Sequence, residues 1–153
     1  MTSVYNNFKE LLFNGGVDLD TDTIRAALVS DTPAYTPDID LEVNVDDVLD
    51  GGTTASELNA TNYARKTLSI TVSQDDTDDE GVADATDLTW SSLGGATNDT
   101  IDGVLIYKEV GADDTTPGDD PVIAYITSSD FPLTTNGGDV TVSWAAEGVL
   151  NVG

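Results

Sequence analysis

From Ile24 onward the apolar residues of this chain alternate. The stretch TIRAALV sets Ile24, Ala26 and Leu28 on one face and Arg25, Ala27 and Val29 on the other, the period of a β-strand. Similar patterns recur over residues 65–73 (RKTLSITVS), 86–92 (TDLTWSS), 101–110 (IDGVLIYKEV), 121–128 (PVIAYITS) and 138–152 (GDVTVSWAAEGVLNV), each bounded by clusters of Gly, Pro, Asn or Asp. A parallel sheet would need a helix between successive strands, and no helical period separates these. The prediction is a mainly β fold: an antiparallel β-sandwich or barrel of six to seven strands, with one short N-terminal α-helix.

That helix is predicted over about residues 4–14, where Val4, Tyr5, Phe8, Leu11 and Leu12 fall at helical spacing. Thr2 or Ser3 is the expected N-cap and Gly15 the stop. Residues 30–62, acidic and interrupted by Pro33, Pro37, Gly51 and Gly52, read as a long excursion with a short helical turn at DVLD. The β-sandwich is expected over about residues 20–152. The whole chain, 1–153, reads as a single domain, long enough to bury roughly 70% of its unfolded surface. Trp90, Trp144, Tyr107 and Tyr125 fall in strand patterns and are expected to fill the core or pair across strands.

Residue types that are missing narrow the chemistry. With no cysteine and no histidine, disulfides, thiolate or imidazole metal sites and Ser-His or Cys-His nucleophilic machinery are excluded. Acids number 29 against 5 bases, a net charge of -24, so a polyanion or an anionic membrane surface would be repelled. No nucleic-acid partner and no membrane insertion are expected. Nor does the start of the chain read as a signal peptide, so synthesis in the cytoplasm is expected.

Aspartate outnumbers glutamate 23 to 6 and lysine falls to three, yet the apolar fraction of 39% argues against disorder. The combination reads as a protein that works in molar salt, where the Debye length shrinks to about 3 Å. An acidic mesophilic surface is the alternative.

Acidic spacing raises the question of a divalent cation, calcium or magnesium. Asp18, Asp20 and Asp22 match the first positions of a calcium loop, but Thr23 stands where Gly is needed and Val29 where Glu is needed. The better match is DTDDEGVADATD, with Asp76, Asp78, Glu80, Asp84 and Asp87 as candidate ligands around Gly81. It lacks flanking helices and ends in the shorter Asp. A chain this acidic produces alternating acids by chance, as again at Asp38, Asp40 and Glu42, so solvated turn carboxylates are the default and no cofactor is expected. The sequons at Asn59 and Asn98 are equally expected by chance. Carboxylate pairs suited to glycoside hydrolysis would also arise by chance, and with ten aromatics, most at core positions, a glycan-acting hydrolase is a remote alternative.

The order of segments carries a resemblance. VYNNFKELLFNGGVDLDTDTIRAALVSD, AYTPDID, NYARKTLSITV, DATDLTWSSLGG, GVLIYKEVG, PVIAYI and NGGDVTVSWAAEGVLNV together resemble a family of small structural proteins from the virion gene blocks of tailed viruses. The likeness spans nearly the full chain and is weakest over residues 41–60. These segments bear the fold rather than chemistry. The resemblance implies a non-enzymatic virion structural protein, and the extra acid in SQDDTDDEG and GADDTTPGDD points to a virus of a halophilic, haloarchaeal host.

Location on the virion is expected at the capsid surface, as a decoration or turret protein that contacts the major capsid protein or other virion proteins. The alternative is a tail, neck or tail-tip component or a host-surface adhesin. A homo-oligomer is expected, a trimer in preference to a pentamer, with contacts at Phe8, Leu12 and Phe13 or at strand edges.

Overall fold

The computed structural model describes residues 1–112, 115–145 and 147–152. In chain order the elements begin with β1 (Thr2–Val4), α1 (Asn6–Asn14), β2 (Ile24–Ser30), α2 (Val45–Val48), β3 (Lys66–Thr67) and β4 (Ile70–Asp75). They continue with β5 (Glu80–Ala85), β6 (Leu88–Leu93), β7 (Thr100–Lys108), β8 (Val122–Ile126), β9 (Leu133–Thr134), β10 (Gly138–Val142) and β11 (Leu150–Val152). All the pairings are antiparallel. The main sheet runs β1-β8-β7-β2-β3, with β9 also on β7; beside it stand a β10-β6 pair and a three-stranded β11-β5-β4 sheet.

The fold is therefore mainly β, antiparallel and sandwich-like. Its segments are more numerous than the sequence patterns because two long patterns each break in two, because β5 lies in a stretch whose acids mask its alternation, and because β1 and β9, three and two residues long, are too short to show a period. Trp144 falls two residues beyond β10 rather than on a strand.

The central strands are covered on both faces. Ile24, Ala26 and Leu28 of β2, with Val104 and Ile106 of β7, pack against Ala83, Leu88, Trp90, Leu93 and Leu150 of the smaller sheets and Phe8 of α1. On the opposite face, Ala27, Val29, Leu105 and Tyr107 meet Tyr35, Val45, Val48 and Ala55 of the acidic excursion. The excursion is thus the second lid of the main sheet. Several of its carboxylates tie its own turns, as where Asp47 accepts the backbone N–H groups of Val43 and Asn44, both at 2.9 Å, around α2.

Glu42 is an acid buried inside this layer. Tyr5 donates its hydroxyl hydrogen to Tyr35 (2.6 Å), and Tyr35 donates to Glu42 Oε2 (2.6 Å), which also accepts the Asp38 N–H at 2.9 Å. The chain of donors ties the segment before α1 to the excursion.

The helix begins later than its apolar spacing suggests. Thr2, Ser3 and Val4 pair with Ile126, Tyr125 and Ala124 of β8, so Tyr5 becomes the N-cap and neither Thr2 nor Ser3 caps anything. The stop is where the sequence puts it: Gly15 adopts φ 74°, a left-handed conformation that costs glycine little. Lys108 Nζ then anchors the end of the helix to β7 by bonding the Gly16 carbonyl at 2.9 Å and pairing with Asp22 at 2.8 Å.

Candidate functional site

The surface around α1 departs most from the acidic character of the chain. Phe8 and Leu11 turn toward the core, and Phe13, five residues past Phe8, is rotated roughly 140° from it at 100° per residue. Phe13 consequently stands 91% exposed and Leu12 37% exposed. Beside them the sheet registers Val72, Ala83 and Leu150 in one cross-strand row, and Val152 follows on the same face at 63% exposure.

Helix and sheet enclose two adjoining apolar grooves of about 170 and 340 Å³. Both are lined by Phe8, Leu12, Leu150 and Val152. No carboxylate lines either groove, and the single charged side chain at their margin is Lys9. Of the three contact residues expected from sequence, Leu12 and Phe13 are exposed as required. Phe8 is corrected to a core residue, 3% exposed, which gives the grooves their floor.

The expected cation loop is a different object. Residues 75–80 close the β4–β5 hairpin, where Asp75 Oδ1 accepts the N–H groups of Thr77 (2.8 Å) and Asp78 (3.3 Å). Asp76, Asp78, Glu80 and Asp84 line an open groove of about 410 Å³ along one face of the hairpin. An extended strand advances roughly 3.4 Å per residue, so Asp87 is carried on the order of 20 Å from the turn and cannot close a coordination shell with Asp76.

Four of the five acids also have local work. Asp76 accepts Gln74 Nε2 (2.7 Å), Glu80 accepts Asn151 Nδ2 (2.7 Å), Asp84 accepts the Ala85 N–H (2.8 Å), and Asp87 accepts Ser143 Oγ (2.9 Å). Among the described residues, no group of three acidic side chains is placed to hold a metal ion. The spacing matched a calcium loop, but a strand, not a loop, carries the second half of it. At the other triplet, Asp22 accepts the Asp18 N–H at 2.8 Å and Asp18 accepts that of Asp20 at 3.0 Å, a turn that hands the chain from α1 to β2.

Groups whose acidities are raised by burial lie inside the fold. Burial raises the hydroxyl pKa values of Tyr5, Tyr35, Tyr63 and Tyr125 above the ordinary phenolic range, and burial likewise raises that of Glu42. None of them lines the apolar grooves or the acidic groove; each holds one segment to another. No family model matches this chain, and neither a curated protein nor a solved structure matches it.

Proposed function

We propose that this chain is a non-enzymatic structural subunit of the virion of a tailed virus with a halophilic host. It sits on the capsid exterior as a decoration or turret protein, works without a cofactor, and assembles with copies of itself. The observation that carries the assembly is the carboxylate-free apolar face of α1 and the three-stranded sheet, on a chain whose net charge is -24. Apolar surface of this kind on an otherwise strongly charged protein marks an interaction site.

A second copy suits the face because it offers both a projecting side chain, Phe13, and a groove beside it. Phe13 of one subunit enters the groove of the next, and head-to-tail repetition of that contact generates a closed ring when the rotation permits. A trimer is the preferred closure and a pentamer the next. The segment order of the sequence supports the virion assignment, and the acid excess supports the halophilic host.

Light scattering in concentrated KCl tests the assembly. The expected result is a species several times the 16.0 kDa of one chain, converted to monomer by Phe13→Asp. A wild-type monomer overturns the self-assembly. Quantitative mass spectrometry of virions tests placement: copies on the order of hundreds fit the shell, whereas a few dozen move the protein to the tail.

A further inference from the structure

A second cleft, of about 290 Å³, opens where the β8–β9 connection leaves the main sheet and passes β10. Its floor is aliphatic: Val104 and Ile126, partners across β7 and β8, face Val140 and Val142 of β10. Phe131 and Trp144, both half-buried, stand in its lining, and Ser128, Asp130 and Ser143 add polar groups. It shares no residue with the apolar face of α1.

Trp144 is held in place although it is partly open to solvent. Its Nε1 donates to the Thr86 carbonyl at 3.1 Å, and its backbone N–H reaches Asp87 Oδ1 at 3.4 Å. The neighbouring Ser143 hydroxyl donates to Asp87 Oδ2 at 2.9 Å. Fixing an aromatic ring before a ligand arrives lowers the ordering cost of binding.

We propose that this cleft binds a neutral hexose unit of a polysaccharide. A pyranose ring has one face of C–H groups, suited to an aromatic wall, and an equator of hydroxyls that both donate and accept. The polar groups complement that equator. Among the described residues nothing donates to the Asp130 carboxylate, which is exposed and ready to accept. Ser143 has already given its hydroxyl hydrogen to Asp87 and keeps its lone pairs. Ser128 Oγ accepts the Asp130 N–H at 3.1 Å and keeps a hydrogen to donate.

An anionic sugar is repelled by Asp130 and by the charge of the whole chain. A basic side chain would satisfy Asp130 but offers Ser128 no acceptor. The volume lies just under the roughly 300–1,000 Å³ of small-molecule pockets, enough for one ring and part of the next.

The test is titration of the full-length protein with maltotriose, cellotriose, mannotriose, galactotriose and laminaritriose, read by tryptophan fluorescence and by saturation-transfer NMR. Trp90 is buried and bonded to the Ala64 carbonyl, so a fluorescence change reports Trp144. At least one trisaccharide is expected to bind with a Kd on the order of millimolar, as suits so few contacts. Asp130→Asn and Phe131→Ala, both outside the strands, are each expected to weaken it at least fivefold. Failure of all five sugars to bind overturns the proposal, as does binding that neither substitution changes. Arginine ethyl ester binding where no sugar does reassigns the cleft to a basic side chain and also overturns it.

Discussion

Arg65 and Glu57 meet through two parallel hydrogen bonds, Nε to Oε1 and NH2 to Oε2, both at 2.9 Å. The pair is the centre of a clamp on the middle of the main sheet. Arg65 also reaches the Tyr107 hydroxyl at 3.1 Å and lies 5.3 Å from the centre of its ring. Glu57 accepts the Tyr63 hydroxyl at 2.7 Å, and Tyr63 in turn accepts the Leu28 N–H of β2 at 3.0 Å. A fork of two donors in one plane is what lysine lacks. Arg65→Lys is therefore expected to cost about 1–3 kcal/mol, the worth of a charge-assisted bond whose partners are only partly screened from water. A shift in the urea midpoint at constant m-value checks it.

Gly103 and Tyr125 set a second expectation. Tyr125 crosses over Gly103 to give its hydroxyl hydrogen to Asp102 Oδ2 at 2.6 Å, and a Cβ on Gly103 would lie 2.5 Å from Tyr125 Cζ and 2.8 Å from the Ile126 carbonyl oxygen. Gly103→Ala is expected to destabilise the fold by about 1–3 kcal/mol, the range for forced overpacking. Part of this cost should persist in a Tyr125→Phe background, because the clash with the ring carbon and the Ile126 carbonyl remains when the hydroxyl is gone. Thermal denaturation of the four proteins of that cycle measures it, and equal stability of wild type and Gly103→Ala would show that Tyr125 yields freely.

The strands at the centre of the sheet are the part most legible in the sequence. Ala27 and Val29 already lay on the second face of the β2 pattern, and small or apolar residues at both parities indicate a strand covered on both sides. What covers that face was not legible, because Tyr35, Val45, Val48 and Ala55 are single apolar residues spaced irregularly among acids. The start of α1 was misread for a related reason: Thr2–Val4 joins β8 across 120 or more residues of sequence, and no local signal reports so distant a partner. Of the candidate contacts, Phe8, Leu12 and Phe13 were legible as apolar residues of one helix, but not that Phe8 belongs to the core and Phe13 to the surface. At Asp76 to Asp87 the pattern stayed ambiguous because spacing alone does not say whether a chain curls or extends.

The buried Glu42 gives the fold a pH dependence of definite sign. Burial raises its pKa in the folded state, so the folded protein binds this proton more tightly than the unfolded chain. Its contribution to stability is complete below the ordinary carboxyl pKa and is lost as pH rises through the raised value. Glu42→Gln removes the titration while leaving an acceptor for Tyr35. The difference in thermal midpoint between Glu42→Gln and wild type is expected to move in favour of the variant between about pH 4 and about pH 7. A difference that does not change with pH would mean that the carboxylate is fully compensated by Tyr35 and the Asp38 N–H.

Asp50 should show the opposite sign. It accepts the backbone N–H groups of Gly52, Thr53 and Thr54 and the Thr54 hydroxyl, and the bonds from Thr54 are the leading reason its pKa is lowered. Stability from this turn is present above the ordinary aspartate pKa and lost as pH falls through the lowered one. Asp50→Ala is expected to lower the thermal midpoint at pH 7 by a few degrees and by less near pH 3. Scanning calorimetry at the two pH values checks it, and an equal loss at both would assign the effect to turn geometry rather than charge.

Salt dependence tests the reading of the composition. Five cations face 29 carboxylates, and three of the cations, Arg25, Arg65 and Lys108, already pair with Glu109, Glu57 and Asp22. Most carboxylates therefore meet only one another's field, which screening weakens. The Debye length falls from about 10 Å at 0.1 M to about 3 Å at 1 M, so most of the relief comes within that range. The thermal midpoint is expected to rise steeply from 0.1 to 1 M KCl and to flatten toward 3 M. A general strengthening of apolar burial by salt would instead keep raising it across the whole series. A midpoint that does not rise at all would remove the support that the acid excess gives to a halophilic origin.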